Sequence, residues 1–492
     1  MLLLGIDLGS SSVKVSVIDG ETGDCLASSY SPDVEMEIIA LNQGWAEQDP
    51  ETWWLNLKSA LGKCLHSLGE KKHDIGAIGI AYQMHGLVTV GKDHKALRNS
   101  IIWCDSRAVR YGEQAFNGMG KEFCLSHLLN SPGNFTASKL AWVKENEPGI
   151  FSRIYKIMLP GDYIAMRLTG EISTSFTGLS EGIFWDFSRN EISRELLSFY
   201  GFDENLFPGV SSSFSISGYL LKETALELGL SPGIPVSYRA GDQPNNALSL
   251  NVLQPGEVAA TAGTSGVIYG VAETKKYDPL SRVNTFLHIN HSESLTRLGV
   301  LLCINGTGIL NSWLRKNVGH GMAYDEMNMM AGKIPPGSDG VTVLPFGNGS
   351  ERMLGNRETG AFFSGLNFNI HSSAHMFRAA QEGIAFSFRY GLDIMKEVGI
   401  NPGVMRAGKA NMFLSDVFRD VLSTITGCVI HLYNTDGSKG AARGAGIGCG
   451  YYKTEKEAFS GLRTVGITEP LVQLSDEYEA TYQRWKNLLQ SL

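Results

Sequence analysis

Apolar and polar positions near the start of the chain alternate between two patterns. Leu2–Ile6 is a continuous apolar run, Asp7-Leu8-Gly9-Ser10-Ser11-Ser12 is a polar turn, and Val13, Val15 and Val17 then alternate. A buried run, a tight turn and an alternating run predict two strands of a hairpin. A third strand follows from Cys25, after the turn Glu21-Thr22-Gly23-Asp24. Between Glu51 and Leu68 the period lengthens to that of a helix, with Trp54, Leu55, Leu57, Leu61, Leu65 and Leu68 as its apolar positions. Ile75–Tyr82 is again a buried strand and ends at Gln83-Met84-His85-Gly86.

The second half gives the same alternation of element types. Val258 to Ala272 reads as strand, turn and strand, and Val341–Phe346 as a strand followed by a loop from Gly347 to Gly360. Ser372 to Val398 predicts a long helix, Val404–Ala407 a short strand, and Ser415–Thr426 a helix closed by Gly427. Val429–Leu432 is a strand, Gly440–Tyr451 a Gly/Ala-rich helix packed closely on another backbone, and Asp476–Leu489 a final surface helix. Strands alternating with helices predict an α/β protein. Ala262-Gly263-Thr264-Ser265-Gly266-Val267 repeats the form of Leu8–Val13, strand, Gly-hydroxyl turn and strand, which suggests two related domains. The expected division is 1–246 and 247–492.

Composition narrows the class. With 50 acidic against 42 basic residues in 492, the net charge is −8 and the chain lacks the basic surface of a general nucleic-acid binder. No run of about 20 apolar residues predicts a membrane span. Asp7 interrupts the apolar N-terminus too early for a signal peptide. Seven scattered cysteines without a CxxC spacing suggest neither a disulfide framework nor a zinc site, so a reduced, cytoplasmic protein is expected.

The polar turns carry the candidate chemistry. A hairpin with Gly9 and hydroxyls at Ser10 and Ser11 offers N–H and O–H donors to phosphate oxygens. Asp7 beside it is suited to hold Mg²⁺ through water, with Lys14 as a counter-charge. Gly263 and Thr264 lie in the matching turn, placed to grip the same phosphates from the other side. Asp242, at the end of a buried strand and the start of a helix, is placed to accept a proton from a substrate hydroxyl, or simply to cap the helix. His85, Trp103, Asp105 and Arg107 offer sugar recognition, against the plainer reading of a structural His, a buried Trp and a surface Asp–Arg pair. Gly403–Ala410 nearly matches a P-loop but has Ala410 where Mg²⁺ needs a hydroxyl, so that reading is rejected.

These motifs, in this order, resemble the FGGY family of carbohydrate kinases over nearly the whole chain. The segment Gly44-Trp45-Ala46-Glu47-Gln48-Asp49-Pro50 is similar to one typical of the family. Gln83–Gly86 with Trp103–Arg107 is most similar to its xylulokinase branch. The resemblance implies a two-domain actin-like ATPase (ribonuclease-H-like) fold with ATP and sugar in a central interdomain cleft. It implies ATP-dependent phosphorylation of a sugar hydroxyl, D-xylulose to D-xylulose 5-phosphate first, with another ketose, a polyol or an aldonate as alternatives. By the same resemblance Asp242 is the general base, and Met84, His85, Trp103, Asp105 and Gln243 join it around the sugar. Gly9, Ser10, Ser11, Lys14, Gly263 and Thr264 hold phosphates, Asp7 and Asp242 hold Mg²⁺, and Gly408, Lys409 and Ala410 lie near adenosine. Family members are often homodimers, and no nucleic-acid or membrane partner is implied. Three stretches depart from the family pattern: Arg406-Ala407-Gly408-Lys409 in place of a Gly-rich turn, Gln243-Pro244-Asn245 after the catalytic Asp, and Ser180-Glu181 where an Asp-bearing segment is common. A sugar-binding regulator without turnover and an actin-like ATPase acting on proteins are the rival classes.

Overall fold

The computed structural model describes residues 1–492. Two central sheets share one strand order. In the first, β1 (Leu2–Leu8), β2 (Val13–Asp19) and β3 (Cys25–Ser31) form an antiparallel meander. β4 (Ile75–Tyr82) and β5 (Pro235–Gly241) extend it in parallel from the other side of β1. The order is β3-β2-β1-β4-β5, with the short strand Gly218–Tyr219 at the edge. The second sheet repeats this with β6 (Val258–Ala262), β7 (Gly266–Ala272), β8 (Leu298–Ile304), β9 (Val404–Gly408) and β10 (Val429–Tyr433). Its central order is β8-β7-β6-β9-β10, again antiparallel on one side of the first strand and parallel on the other, with Asn284–Leu287 and Thr464–Thr468 at the two edges. The faint similarity of the two Gly-hydroxyl turns is the local trace of this repeated frame. The near-P-loop stretch is mostly strand β9, which removes that reading.

Helices cover both sheets. α1 (Pro50–Leu68) starts with Asp49 as cap and Pro50 in its first turn, and lies on β2 and β3. Trp53 and Trp54 are buried, whereas Leu55, expected on the apolar face, is exposed. A step of 100° per residue carries Leu55 past the stripe that Trp54, Leu57, Leu61, Leu65 and Leu68 occupy. α2 (Asp242–Ser249) follows β5, and α3 (Gly308–Asn317) follows β8. α4 (Ser373–Glu397) is buried on nearly all sides, and α5 (Asp416–Thr426) packs beside it. α6 (Gly437–Gly448) comes late in the chain yet packs on β1, β4 and β5 of the first sheet. Its approach is close because Gly5 and Gly79 face it: a Cβ at either would collide with the carbonyl of Ser438 or Ala441. The last helix, α7 (Ser475–Gln490), is not merely a surface element. Tyr478, Tyr482, Trp485 and Leu489 are buried, and the Trp485 indole donates to the Val343 carbonyl at 2.9 Å. No helix is long and apolar enough to cross a membrane.

Candidate active site

Three parallel strands end side by side. The register pairs Asp7 with Ala81 and Ala81 with Ala240, then Leu8 with Tyr82 and Tyr82 with Gly241. Asp7 with the Gly9–Ser12 turn, the Gln83–Gly86 loop and Asp242 therefore leave the sheet at one edge. That edge, at the carboxyl ends of the strands, is where sheets of this kind bind ligands.

Asp242 is the first residue of α2, so the helix dipole favours its carboxylate. Burial still pushes its pKa up to about 6, against hydrogen bonds from the Gln243 side chain and backbone. Asp7 goes further, to about 7, first through burial and then through the nearby charges of Asp242 and Asp436. The start of α6 presses on it, since a Cβ at Gly437 would strike the Asp7 carboxylate. Asp436 caps α6, accepting from the Lys439 N–H at 3.1 Å, and forms an ion pair with Lys14 at 3.0 Å. Burial opposes its charge, but Lys14, Ser438 and Lys439 hold its pKa at about 2. Lys14 is thus paired with a carboxylate and not free for phosphate alone.

The first Gly-hydroxyl turn is braced by side chains. Gln48 donates to the Ser10 carbonyl at 2.7 Å and accepts from Trp53 and Gln83, tying the turn to the end of β4. The Met36 N–H donates to the Ser11 carbonyl at 2.8 Å. Trp103 is not buried: the residue is 49% exposed, and its indole N–H donates to the Ser10 hydroxyl at 3.3 Å. Asp105 is the reverse case and corrects its expected role at the sugar. It is 0% exposed and its carboxylate is taken up by Arg107 at 2.7 Å, the Ala46 N–H at 2.6 Å and the Arg107 N–H at 2.9 Å. The exposed Trp and the buried Asp–Arg pair exchange the positions of the plainer reading.

His85 is held in a left-handed conformation, φ 61°, by two bonds to Glu181. Its N–H donates to the Glu181 carboxyl at 3.2 Å, and its Nδ1 lies 3.0 Å from the Glu181 carbonyl. A carbonyl oxygen only accepts, so Nδ1 carries the proton and Nε2 is left as an acceptor with no partner in the protein. Burial, then Lys139, pushes the His85 pKa down to about 3, so the ring stays neutral. Met84 packs against Gly241, next to Asp242, and Glu181 lies against the same glycine. Burial raises the Glu181 carboxyl well above the usual range.

In the second half, the Gly263 and Thr264 carbonyls accept the Gly308 and Ile309 N–H groups at 2.9 and 3.1 Å, seating the second turn on the start of α3. Beside it is a cavity of about 380 Å³ whose lining includes Thr264, Asn311, Tyr324, Asn328, Asn411 and Ser415. Gly408, Lys409 and Ala410, expected near adenosine, are not in that lining, whereas the next residue, Asn411, is. Lys409 is held by its backbone N–H to the Tyr433 carbonyl at 2.9 Å, with its side chain exposed. The departure at Ala407 is a core matter, because its methyl is fully buried in β9.

Asp436, the lining residues Met412, Leu414 and Ser415, and Glu351 with its neighbour Arg352 escaped the sequence reading. Only the cluster of glycines from Gly437 pointed toward the first. No three His, Cys, Asp or Glu side chains close around a single point as a protein-made metal cage would. Asp7 and Asp242 nevertheless fit Mg²⁺. They are hard oxygen donors whose ionised forms burial disfavours, and Mg²⁺ is usually held by one or two carboxylates with water and phosphate.

A duplicated β3-β2-β1-β4-β5 frame with a Gly-hydroxyl turn in each half, and Asp7 and Asp242 beside the first, defines the actin-like ATPase class. The family model for the N-terminal domain of the FGGY family of carbohydrate kinases matches residues 2–249, and that for the C-terminal domain matches residues 258–449. The chain belongs to that family, and it is an ATP-dependent sugar kinase. It is 28% identical to the xylulose kinase of Bacillus subtilis (strain 168), over 99% of this chain and 96% of the relative. The xylulose kinase of Escherichia coli (strain K12) is 29% identical, covering 90% of this chain and 88% of its own. The crystal structure of a xyloylose kinase from Brucella ovis superimposes with a TM-score of 0.90 at 26% identity, over 100% and 99% of the two chains.

Proposed function

We propose that this kinase transfers the γ-phosphoryl group of ATP to D-xylulose, giving D-xylulose 5-phosphate, in a cytoplasmic setting. The observation that carries the reading is the adjacency of Met84, His85 and Asp242 at the ends of β4 and β5, in a chain similar end to end to xylulose kinases. Neutral His85 offers Nε2 to a sugar hydroxyl without adding charge. Asp242, lifted to about 6, accepts the proton of the attacking hydroxyl with more driving force than an ordinary carboxylate. The Gly9–Ser11 and Gly263–Thr264 turns hold the phosphates from opposite sides, which supplies the positioning on which phosphoryl transfer depends. Asp7 and Asp242 would hold Mg²⁺, whose charge offsets that of the phosphates.

The test is ADP release with Mg-ATP across ketoses, polyols and aldonates, with the phosphorylated carbon identified by NMR. D-xylulose is expected to give the highest kcat/KM and a product carrying phosphate on C5. Preference for another sugar would overturn the substrate and leave the kinase in place.

A further inference from the structure

Arg352 is a cation without a partner in a wall of the cleft. It opens a short turn, Arg352–Leu354, in the second half of the chain. The residue before it, Glu351, is buried, and its two carboxylate oxygens accept the N–H groups of Asn305 and Gly306 at 3.1 and 3.0 Å. That carboxylate is therefore tied to its own half. The Arg352 side chain is half-buried, and its guanidinium makes no ion pair and no hydrogen bond within the protein, so its N–H donors are free for a ligand. It reaches across to the first half instead, with its central carbon 5.6 Å from the centre of the Phe135 ring and a nitrogen beside Gly133. Phe135 in turn meets the His85 ring edge-on at 4.8 Å.

These contacts set the residues in a row along the cleft. Asp242 adjoins Gly241, Gly241 packs on Met84, His85 follows Met84, Phe135 follows His85, and Arg352 lies beyond. The Cys303 thiol, on β8, is within electrostatic reach of both Arg352 and Asp242. A sugar whose terminal hydroxyl met Asp242 would extend past His85 toward Arg352. A guanidinium presents a planar fork of N–H donors and suits carbonyl or carboxylate oxygen better than a lone hydroxyl.

We propose that Arg352 is a specificity-determining residue that binds the carbonyl end of the sugar, remote from the hydroxyl that is phosphorylated. For D-xylulose it donates to the C2 carbonyl oxygen, so the kinase tells a ketose from the corresponding polyol with a residue of its second half. This rests on the ketose reading above and adds the group that recognises it. It also ties sugar binding to the approach of the two halves, because the other sugar contacts belong to the first.

The experiment is steady-state kinetics of the full chain and its Arg352→Gln and Arg352→Lys variants, with D-xylulose and with xylitol, which lacks the carbonyl. Thermal melting reports whether each variant is folded. Arg352→Gln is expected to raise KM for D-xylulose about 10- to 100-fold, the worth of one hydrogen bond to a charged group. KM for ATP and for xylitol are expected to stay as they are, and Arg352→Lys to recover part of the loss. Equal losses on ketose and polyol, or a raised KM for ATP, would overturn the proposal. If the wild-type chain prefers a sugar other than D-xylulose, the substrate reading fails separately. Arg352 is then tested on that sugar against its analogue reduced at the far end, with the same expectation. A preferred sugar with no carbonyl or carboxylate would overturn it. Should Arg352→Gln fail to fold, binding of D-xylulose to Arg352→Lys by calorimetry replaces it, and unchanged affinity there would count against the proposal.

Discussion

The two Gly-hydroxyl turns have the same place in the same strand order and different surroundings. The first stands beside Asp7 and Asp242 and is braced by Gln48 and Trp103. The second has no carboxylate in that place. It rests by its own carbonyls on the start of α3 and borders the cavity lined by Asn311, Tyr324 and Asn411. We propose that the duplicated frame divides its labour, with the acid–base groups in the first half and the nucleotide held by the second. The difference comes from the residues just beyond the parallel strands. After β5 the chain places Asp242 at a helix start, while after β10 it places Asp436, whose helix α6 returns to the first sheet. Both carboxylates therefore lie near Asp7, beside the first turn.

Breaking the acid–base side has the largest expected effect. Asp242→Asn removes the proton acceptor and keeps the shape, so kcat is expected to fall roughly 10²- to 10⁴-fold. Steady-state ADP release measures it. Asp7→Asn is expected to come next, raising the Mg²⁺ needed for half-maximal activity by about 10- to 100-fold, as loss of an outer-sphere partner does. A magnesium titration reads this directly. Thr264→Ala strikes the second turn and is expected to raise KM for ATP by about 10-fold, one hydrogen bond to a charged oxygen, with little change in kcat.

The comparison also has a pH signature. Asp7 and Asp242 have folded pKa values of about 7 and 6, above the unfolded values near 3.8. Between these limits the folded chain holds protons that the unfolded chain has released. Their contribution to stability is therefore present at low pH and lost as pH rises through about 6 to 7. The melting temperature of Asp7→Asn relative to the wild type is expected to increase across that window. A flat difference would show that Asp7 is not held in its protonated form. The smallest effect is expected at Leu55, where Leu55→Ser should change stability by no more than about 0.5 kcal/mol in urea unfolding, because nothing packs on the outer face of α1 there.

What was legible in the sequence was what is local. Ile75–Tyr82 is a strand over the same residues that its apolar run marks, and Ser415 and Gly427 bound α5 as their types require. The two turns gave the duplication away because a hairpin is written in consecutive residues. Pairings across the chain were not legible. Lys14 meets Asp436 through the return of α6, and Arg352 meets Phe135 across the cleft. Trp103 and Asp105 show the limit most clearly, since residue type alone put the indole inside and the carboxylate outside. Arg107 reversed this by giving Asp105 a full set of donors, which lets a carboxylate be buried.

The division of labour is tested most directly by measuring two quantities, sugar-dependent ADP release and ATP affinity, in Asp242→Asn and Thr264→Ala side by side. The account predicts that Asp242→Asn loses turnover and binds ATP as the wild type does. It predicts that Thr264→Ala loses ATP affinity and turns over normally once saturated. Losses of both quantities in both variants, or the opposite assignment, would contradict it.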